Sequence, residues 1–555
     1  MKKTFALYIL FFSFSLAQTV FEPMGNRVYS FLERMNLKGF ISLNDEAQPY
    51  ARRLIAAKLS ELILQKNNLN DVERNELEWF VKEFYPELRR SDYEPDKHII
   101  PGFRSVYPSF AAPEDDRIRL LSYQDSLFFF NISPRAGYEV KYRGDAEGHS
   151  RWWGLRMYGT YDDYFSAFFD YMDKGEYGIL DRKKEFSDAT SFFINSAGPS
   201  RIEFSDMRGG FTLDWKWGTL SLQKDYVNLG HGSNGKLVLS SNAASFPHIY
   251  LTLQPAEWFR FYYIHGFLNS LVIDSSASYY NRWDSEKPFL RQEYVGKYFA
   301  ANQFTFTPFS GIDLSAGNIF VYSGRLRPEM FIPFLYYKVM DHNTARGAVD
   351  DGNGFLFLDL SVKHPKTFQF YTTLLVDVIN IRDILEDKNW YTTWFGVTLG
   401  AKKIDFIIPN LDVVLEYTRL NPWMYEHKDE TTTYKHINFN LGHWTGQNSD
   451  NIKLAVMYQP VSRLNLTLFA ENFRKGGLKD ISRAYDNAKE KQDFLYAPVR
   501  KDFRLGLNAR YEVIHELFAD FDYRYTSVTD EDVKRTLDFQ LGSKHNFTVS
   551  MGYGF

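Results

Sequence analysis

The chain has 555 residues, no cysteine, a formal net charge of −4 and a mean hydropathy of −0.38. The lack of cysteine excludes a disulfide framework or thiolate metal site, and the near-balanced charge argues against nucleic acid as a partner. Aromatic residues reach 18% (37 Tyr, 50 Phe, 11 Trp), more than a soluble core needs, and outer-membrane barrels place such residues in girdles at both membrane interfaces.

The first residues, MKKTFALYILFFSFSLAQ, have a basic start at Lys2 and Lys3 and an apolar run too short to span a bilayer. Small residues at Ser15 and Ala17 complete a signal peptide over 1–17, cleaved before Gln18. Residues 18–92 then carry a helical period. Val28, Phe31, Leu32 and Met35 share one face, as do Leu54, Ala57, Leu59 and Leu62. Asn70 and Asp71 are cap candidates for a third helix that stops near Pro86. Three helices in roughly 70 residues lie near the lower limit for an independent core, so this unit is expected to lean on the rest of the chain. Residues 93–116 read as a linker.

From 117 to 555 the period becomes two. Alternating or aromatic-rich segments stand at 126–132, 136–143, 152–161, 164–172, 209–217 and 219–227. Others follow at 354–363, 368–379, 392–403, 412–420, 436–443, 451–460, 463–473, 502–513, 517–527 and 535–543. The last, KHNFTVSMGYGF, puts Phe547, Val549, Met551, Tyr553 and Phe555 on one face. The total is about eighteen strands of the length a tilted membrane strand requires. No helices separate them, which excludes a parallel α/β sheet. Past the signal, no run of about eighteen apolar residues could form a membrane helix. The fold class is a mainly β, antiparallel transmembrane barrel preceded by a small helical bundle. With the C-terminus in the periplasm, counting strands backwards puts 341–353, 379–391 and 421–434 outside the cell, and 475–500 in the periplasm, where turns should be short.

VNLGHGSNGKLVLSSNAASFPHI (227–249) contains a G-x-G-x-x-G at Gly230, Gly232 and Gly235 and a near P-loop ending in Lys236. A strand precedes the glycines, but strand-like sequence follows them, so there is no helix N-terminus to meet a pyrophosphate. The glycines instead suit a turn or close backbone packing. Asn234, Ser240 and Asn242 either line a polymer path or satisfy the fold.

Catalysis would need a constellation such as His231 with Ser233, or His443 with Ser449 and Asp450, and neither sits in a nucleophile motif. His427, His436 and His443 invite a metal site without the supporting carboxylates. Asp350, Asp351, Glu386 and Asp387 lack EF-hand spacing. No catalytic residue, cofactor or metal is expected. Polar loops with aromatics are better sugar-binding candidates, because sugar rings stack on aromatic faces while their hydroxyls need polar partners. Trp390, Tyr391, Trp423 and Tyr425, together with Arg346 and Asp350, are the candidates. The competing reading places these aromatics in the interfacial girdle.

Several segments together resemble the Wzi-type capsule-assembly family. The glycine run is followed by a Leu-x-Leu-Ser pattern with Ser240 and Asn242, although Ser241 replaces an expected Asn. GNIFVYSGRLRPEMFIPF (317–334) supplies Tyr322, Gly324 and Arg325, and LLVDVI (374–379) supplies Asp377. LEYTRLNPWMYEH (415–427) supplies Glu416 and Tyr417, and 434–454 supplies Gly442, His443, Gly446 and Asp450. The helical segment before the barrel is similar as well. The resemblance implies an outer-membrane, lectin-like barrel with its helices in the periplasm. Such a protein holds capsular polysaccharide or exopolysaccharide at the cell surface by non-covalent contacts and catalyses nothing. Outer-membrane lipid would surround it, and residues 18–92 could meet export machinery or a cell-wall polymer. The alternative is a porin-like channel for small solutes.

Overall fold

The computed structural model describes residues 20–90, 118–124, 127–162, 165–179, 194–198, 200–281, 289–344, 352–378, 394–477, 481 and 493–554. Expectations for the leader, the 93–116 linker, Arg346, Asp350, Trp390, Tyr391 and Phe555 lie outside them.

Four helices open the chain: α1 (Val28–Lys38), α2 (Arg52–Ile63), α3 (Asp71–Glu83) and α4 (Tyr85–Arg90). Their apolar faces close on Leu32, Met35, Leu59, Phe80 and Phe84. Asn70 begins α3 with a capping box: it accepts from the Glu73 N–H at 2.9 Å while Glu73 accepts from the Asn70 N–H at 3.1 Å.

Eighteen long strands then form one closed antiparallel barrel. The first five are β1 (Phe128–Arg143), β2 (Ala146–Tyr161), β3 (Phe165–Tyr177), β4 (Arg201–Trp215) and β5 (Gly218–Asp225). Next come β6 (Phe246–Ala256), β7 (Phe259–Asn281), β8 (Phe289–Phe309), β9 (Ile312–Ser323), β10 (Gly352–Val362) and β11 (Phe368–Val378). The remainder are β12 (Trp394–Lys403), β13 (Leu411–Leu420), β14 (Ser449–Tyr458), β15 (Leu464–Lys475), β16 (Arg500–Ile514), β17 (Leu517–Asp530) and β18 (Gly542–Tyr553). β18 pairs with β1 to close the ring, Asn546 opposite Arg143. Outward positions such as Leu314, Leu358, Leu454, Leu505 and Val549 are exposed and apolar. Exposed aromatics gather toward both edges: Tyr161, Trp217, Trp258 and Phe309 at one, Tyr142, Tyr280 and Phe289 at the other. This is the surface of a barrel that meets lipid.

The expected number of strands is right, but some expected segments are not. The described part of 126–132 from Phe128 onward and all of 136–143 belong to the single strand β1, 436–443 lies inside the lumen, and 535–543 holds short 3₁₀ turns at the rim. Four strands absent from the counted series, β6 to β9, complete the ring, and of these only 248–255 in β6 reads as strand-like in the sequence. In β7 to β9 the alternation is faint because both faces are largely buried and apolar along part of each strand. Tyr262, Ile264, Phe299 and Val321 point into the core, while Phe261, Tyr263, Phe320 and Tyr322 point outward under a covering segment. The spurious strand at 535–543 also reverses the expected side of 475–500. β15 ends and β16 begins at the same rim as the end of β11, the start of β12 and 421–448. Tyr553 corrects the C-terminal pattern: it is buried, and its hydroxyl donates to the Ile118 carbonyl at 2.9 Å.

The covering segment runs from Gly324 to Thr344, through a 3₁₀ turn (Pro328–Phe331) and α5 (Tyr337–Thr344), and returns along the outside of the wall. Phe331 stacks on His265 at 4.0 Å and Phe334 meets Phe261 at 4.6 Å. Irregular backbone at this depth needs protein partners for its polar groups. The outward Asn302 amide donates to the carbonyls of Pro333 and Leu335 at 2.8 and 2.9 Å, and Asn318 accepts from the Tyr337 N–H at 3.1 Å. Ile332, Phe334, Tyr336 and Val339 form the strap's exposed outer row. Asn318→Leu is expected to cost about 2 kcal/mol by stranding these buried groups. The consequence is earlier proteolytic cleavage within 324–344 of the folded protein; an unchanged cleavage rate would mean that apolar contact alone holds the strap.

The helical bundle sits on the rim opposite the long connections. Arg27 Nε donates to Glu512 at 2.8 Å, and Arg34 pairs with Asp405 and Asp412. Trp79 stacks on His515 at 3.7 Å, and the Arg463 guanidinium lies 4.7 Å over Trp79.

Candidate functional site

Two segments fold into the lumen and interlock. One is the glycine run between β5 and β6, and the other is 421–448 between β13 and β14. The glycine run threads backbone through crowded space. Gly230 has φ +85°, and its N–H donates to the Glu46 carbonyl at 2.8 Å. At Gly235, φ is +143° and a Cβ would lie 2.6 Å from the His443 ring. Leu237, Val238 and Leu239 enter a core with Trp394, Leu420, Trp423, Tyr425, Tyr434 and Leu441. The Tyr425 hydroxyl donates to the Leu237 carbonyl at 2.8 Å, and Tyr434 donates likewise to Val238. Ser240 donates to Gly442 O at 2.6 Å and Asn242 to Asn440 O at 3.1 Å, so both serve the fold.

Side chains on the barrel wall hold the tip of the run. Glu416, inward on β13, accepts from the backbone N–H of Ser233 and of Asn234 (2.9 Å) and from the Tyr371 hydroxyl at 2.6 Å. The Asn234 amide donates to Asn451 at 2.9 Å and Glu471 at 2.7 Å, while its Oδ1 accepts from Lys453 at 2.8 Å. His231 sits between two carboxylates, Nδ1 2.6 Å from Asp359 on β10 and Nε2 3.2 Å from Asp45 of the helical segment. Burial alone would lower its pKa, but Asp359 and Asp45 together raise it to about 10, making it a buried imidazolium at neutral pH. Asp45 also accepts from Lys363 at 2.7 Å, and burial is again outweighed, holding its carboxyl well below the usual range. Glu46 binds Arg260, which reaches Asp313 at 2.7 Å. Bundle, glycine run and wall are thus joined through one buried ionic network.

Neither catalytic constellation forms. Both nitrogens of His231 meet carboxylates and Ser233 Oγ lies 2.8 Å from Tyr371 instead. His443 Nδ1 bonds Thr445 at 2.9 Å, Ser449 donates to Gly446 O at 2.6 Å, and Asp450 binds Arg474 at 2.8 Å. Burial pushes His443 down to about 3, which keeps the ring neutral. His427 and His436 likewise have separate partners, Thr432 at 2.7 Å and the Asn269 N–H at 3.0 Å. Among the described residues no three His, Asp or Glu side chains gather for a metal ion.

Of the sugar-stacking candidates that are described, Trp423 is 2% exposed beside Trp394 and Tyr425 is fully buried. They pack the plug and present no face to a ligand. The motif residues divide by location. Gly230, Gly232, Gly235, Ser240, Asn242, Glu416, Gly442 and His443 meet in the interlocked plug. Gly446 packs beside Asn440 and Lys475. Asp377 lies inward near the end of β11, and Tyr417 and Asp450 point outward near the same rim, with Asp450 buried beside Arg474. Tyr322 is under the strap with its hydroxyl 3.2 Å from His265, while Gly324 and Arg325 are exposed where the strap begins.

Between α1, the tip of the glycine run and the walls of β13 to β16 lies a polar cavity of about 680 Å³. Asn228, Ser233, Asn234, Lys236, Lys402 and Lys453 contribute to its lining. The size fits a small-molecule site. Of these residues the sequence singles out only Asn234 as a polymer-path candidate. No spacing signals the rest, because they converge from segments up to 225 residues apart in the chain.

The model of the family described as capsule assembly protein Wzi matches residues 146–526, more than half of the chain. The fold is similar to Wzi of Escherichia coli, an outer-membrane protein described as a carbohydrate-binding β-barrel involved in group 1 capsule assembly. The TM-score is 0.55 at 12% identity, covering 97% of this chain and all of that one. OccAB2 of Acinetobacter baumannii is more distant, with a TM-score of 0.42 at 10% identity over 78% of this chain and 99% of that one. No curated protein sequence matches the chain. The family match spans the barrel from β2 into β17, and the chain belongs to the Wzi capsule assembly protein family.

Proposed function

We propose that this protein is an outer-membrane barrel that binds capsular polysaccharide or exopolysaccharide and holds it at the cell surface during capsule assembly, without catalysis. The observation that carries this reading is the family match over 146–526. The E. coli barrel of similar fold is named as carbohydrate-binding. The interlocked plug adds support, since an apolar core across part of the lumen suits a binding barrel better than a solute route. In this reading the rim with the helical bundle faces the periplasm and the rim with 421–448 and the ends of β11 and β15 faces outward. Many weak sugar contacts along one polymer add through effective concentration, so firm retention needs no single tight site.

Deleting the gene is expected to move polysaccharide from the cell-bound to the released fraction with total synthesis unchanged. Equal retention in mutant and parent would overturn the proposal, and steady ion conductance of the intact protein with unchanged retention would favour a porin.

A further inference from the structure

The polar cavity has a charge asymmetry that the fold does not use. Lys236 Nζ donates to the Gly230 carbonyl at 2.7 Å and Lys453 Nζ to Asn234 Oδ1 at 2.8 Å, both neutral acceptors. Among the described residues neither ammonium has a carboxylate within ion-pair distance. Lys402, on the same lining, has Glu33 at 3.5 Å, and the nearby Glu416 is already taken by two backbone N–H groups and a tyrosine hydroxyl. A second observation points into the same space. Asn228 is 8% exposed, and its Oδ1 is buried with no hydrogen-bond partner. Ser233, by contrast, is exposed at the tip of the run, so the cavity is open to water. Two ammoniums with no carboxylate at ion-pair distance, an unused amide oxygen and a serine hydroxyl form a set that would hold an anionic group on a polyhydroxyl chain. A carboxylate accepts charge-assisted hydrogen bonds from the lysines, while amides and hydroxyls serve the ring hydroxyls. Burial holds the Lys236 ammonium below its ordinary pKa, and an anion beside it would relieve that desolvation.

We propose that this lumenal cavity is a binding site for an acidic saccharide, with the sugar carboxylate seated between Lys236 and Lys453 and the ring hydroxyls facing Asn228 and Ser233. The proposal rests on the carbohydrate-binding reading and adds a location and a preferred charge.

Detergent-purified full-length protein is titrated calorimetrically with short oligogalacturonates, with malto-oligosaccharides of matched length, and with inorganic phosphate. Saturable binding of the uronate, weaker by about tenfold or more for the neutral sugar and weakening with salt, is the expected result. Lys453→Gln keeps a donor for Asn234 Oδ1 while removing the charge, and Lys236→Met removes the other ammonium. Each should reduce uronate affinity about tenfold with barrel folding, checked by gel mobility without boiling, unchanged. Equal binding of charged and neutral sugars, uronate binding unaffected by both variants, or no saturable binding would overturn the site. Phosphate competing as well as the uronate would also overturn it, leaving a simple anion pocket. Polymer retention on cells separates the two ideas. If Lys453→Gln cells retain polymer that deletion cells release, and uronate binding is also unchanged, the site falls while the anchoring function stands.

Discussion

Replacing Gly235 with valine is expected to unseat the lumenal plug, at a cost of about 3 kcal/mol or more. Two effects coincide at this position. Its φ of +143° is a backbone conformation that β-branched residues avoid, and a Cβ would lie 2.6 Å from the ring of His443. That ring cannot withdraw, because it is fully buried and tied to Thr445. The measurement is hydrogen exchange of residues 228–245, which should lose protection, together with planar-bilayer conductance, which should rise. Gly324 provides the control: its φ is +82°, but a Cβ there would meet nothing within 4 Å. Alanine there should cost only about 1 kcal/mol and leave conductance alone. Unchanged exchange and conductance in Gly235→Val would show that the plug does not depend on this close approach.

The second large effect concerns His231. Its folded-state pKa of about 10 lies above the ordinary value of about 6.5. A raised pKa means that the folded protein binds the proton more tightly than the unfolded chain. The contribution is therefore fully present below about pH 6.5 and is lost as pH rises through about 10. His231→Gln leaves Asp359 and Asp45 without their shared cation and is expected to cost about 3 kcal/mol near neutral pH. The difference from the parent should shrink steadily as the pH is raised toward 10, read from thermal unfolding in detergent at a series of pH values. A difference independent of pH would show that the ring acts by shape and hydrogen bonding, not by charge. Lys363 remains to hold Asp45 in the variant, so the bundle should stay docked while the glycine run loosens.

Much of the architecture was legible because it depends on a local pattern. In β18 a period of two puts Phe547, Val549 and Met551 outward and Asn546 inward, and the same parity marks β10 to β17. It fails where a strand is buried on both sides, as in β7 and β8, since core and strap each demand apolar residues and the alternation disappears. It misleads where alternating residues serve a different core. Phe439 and Leu441 in 436–443 alternate like a membrane strand, yet they pack the plug. The two spurious strands offset missing ones in the total, but the one at 535–543 reverses the sidedness of 475–500.

The binding residues show the same division. Trp423 and Tyr425 share their local sequence with carboxylates, an amide and a lysine, which describes a sugar site, a girdle or a plug equally well. Only the inward fold of 421–448 makes them core. The glycine spacing at 230–235 resembles a nucleotide loop until the strand-like residues after Lys236 are taken into account, and the absence of a helix was readable from sequence alone.

Strand-forming character, the helical segment ahead of the barrel and the family are properties the amino-acid sequence determined by itself, because they rest on residue periodicity and on ordered local motifs. Tertiary structure alone decided that Asp45 and Asp359 enclose His231, that Asn302 and Asn318 hold a strap on the outer wall, and that Lys236 and Lys453 share one cavity. Each of these joins residues far apart in the chain. Closing the barrel brings their strands and loops to one place, and no local pattern records which inward side chain will meet which.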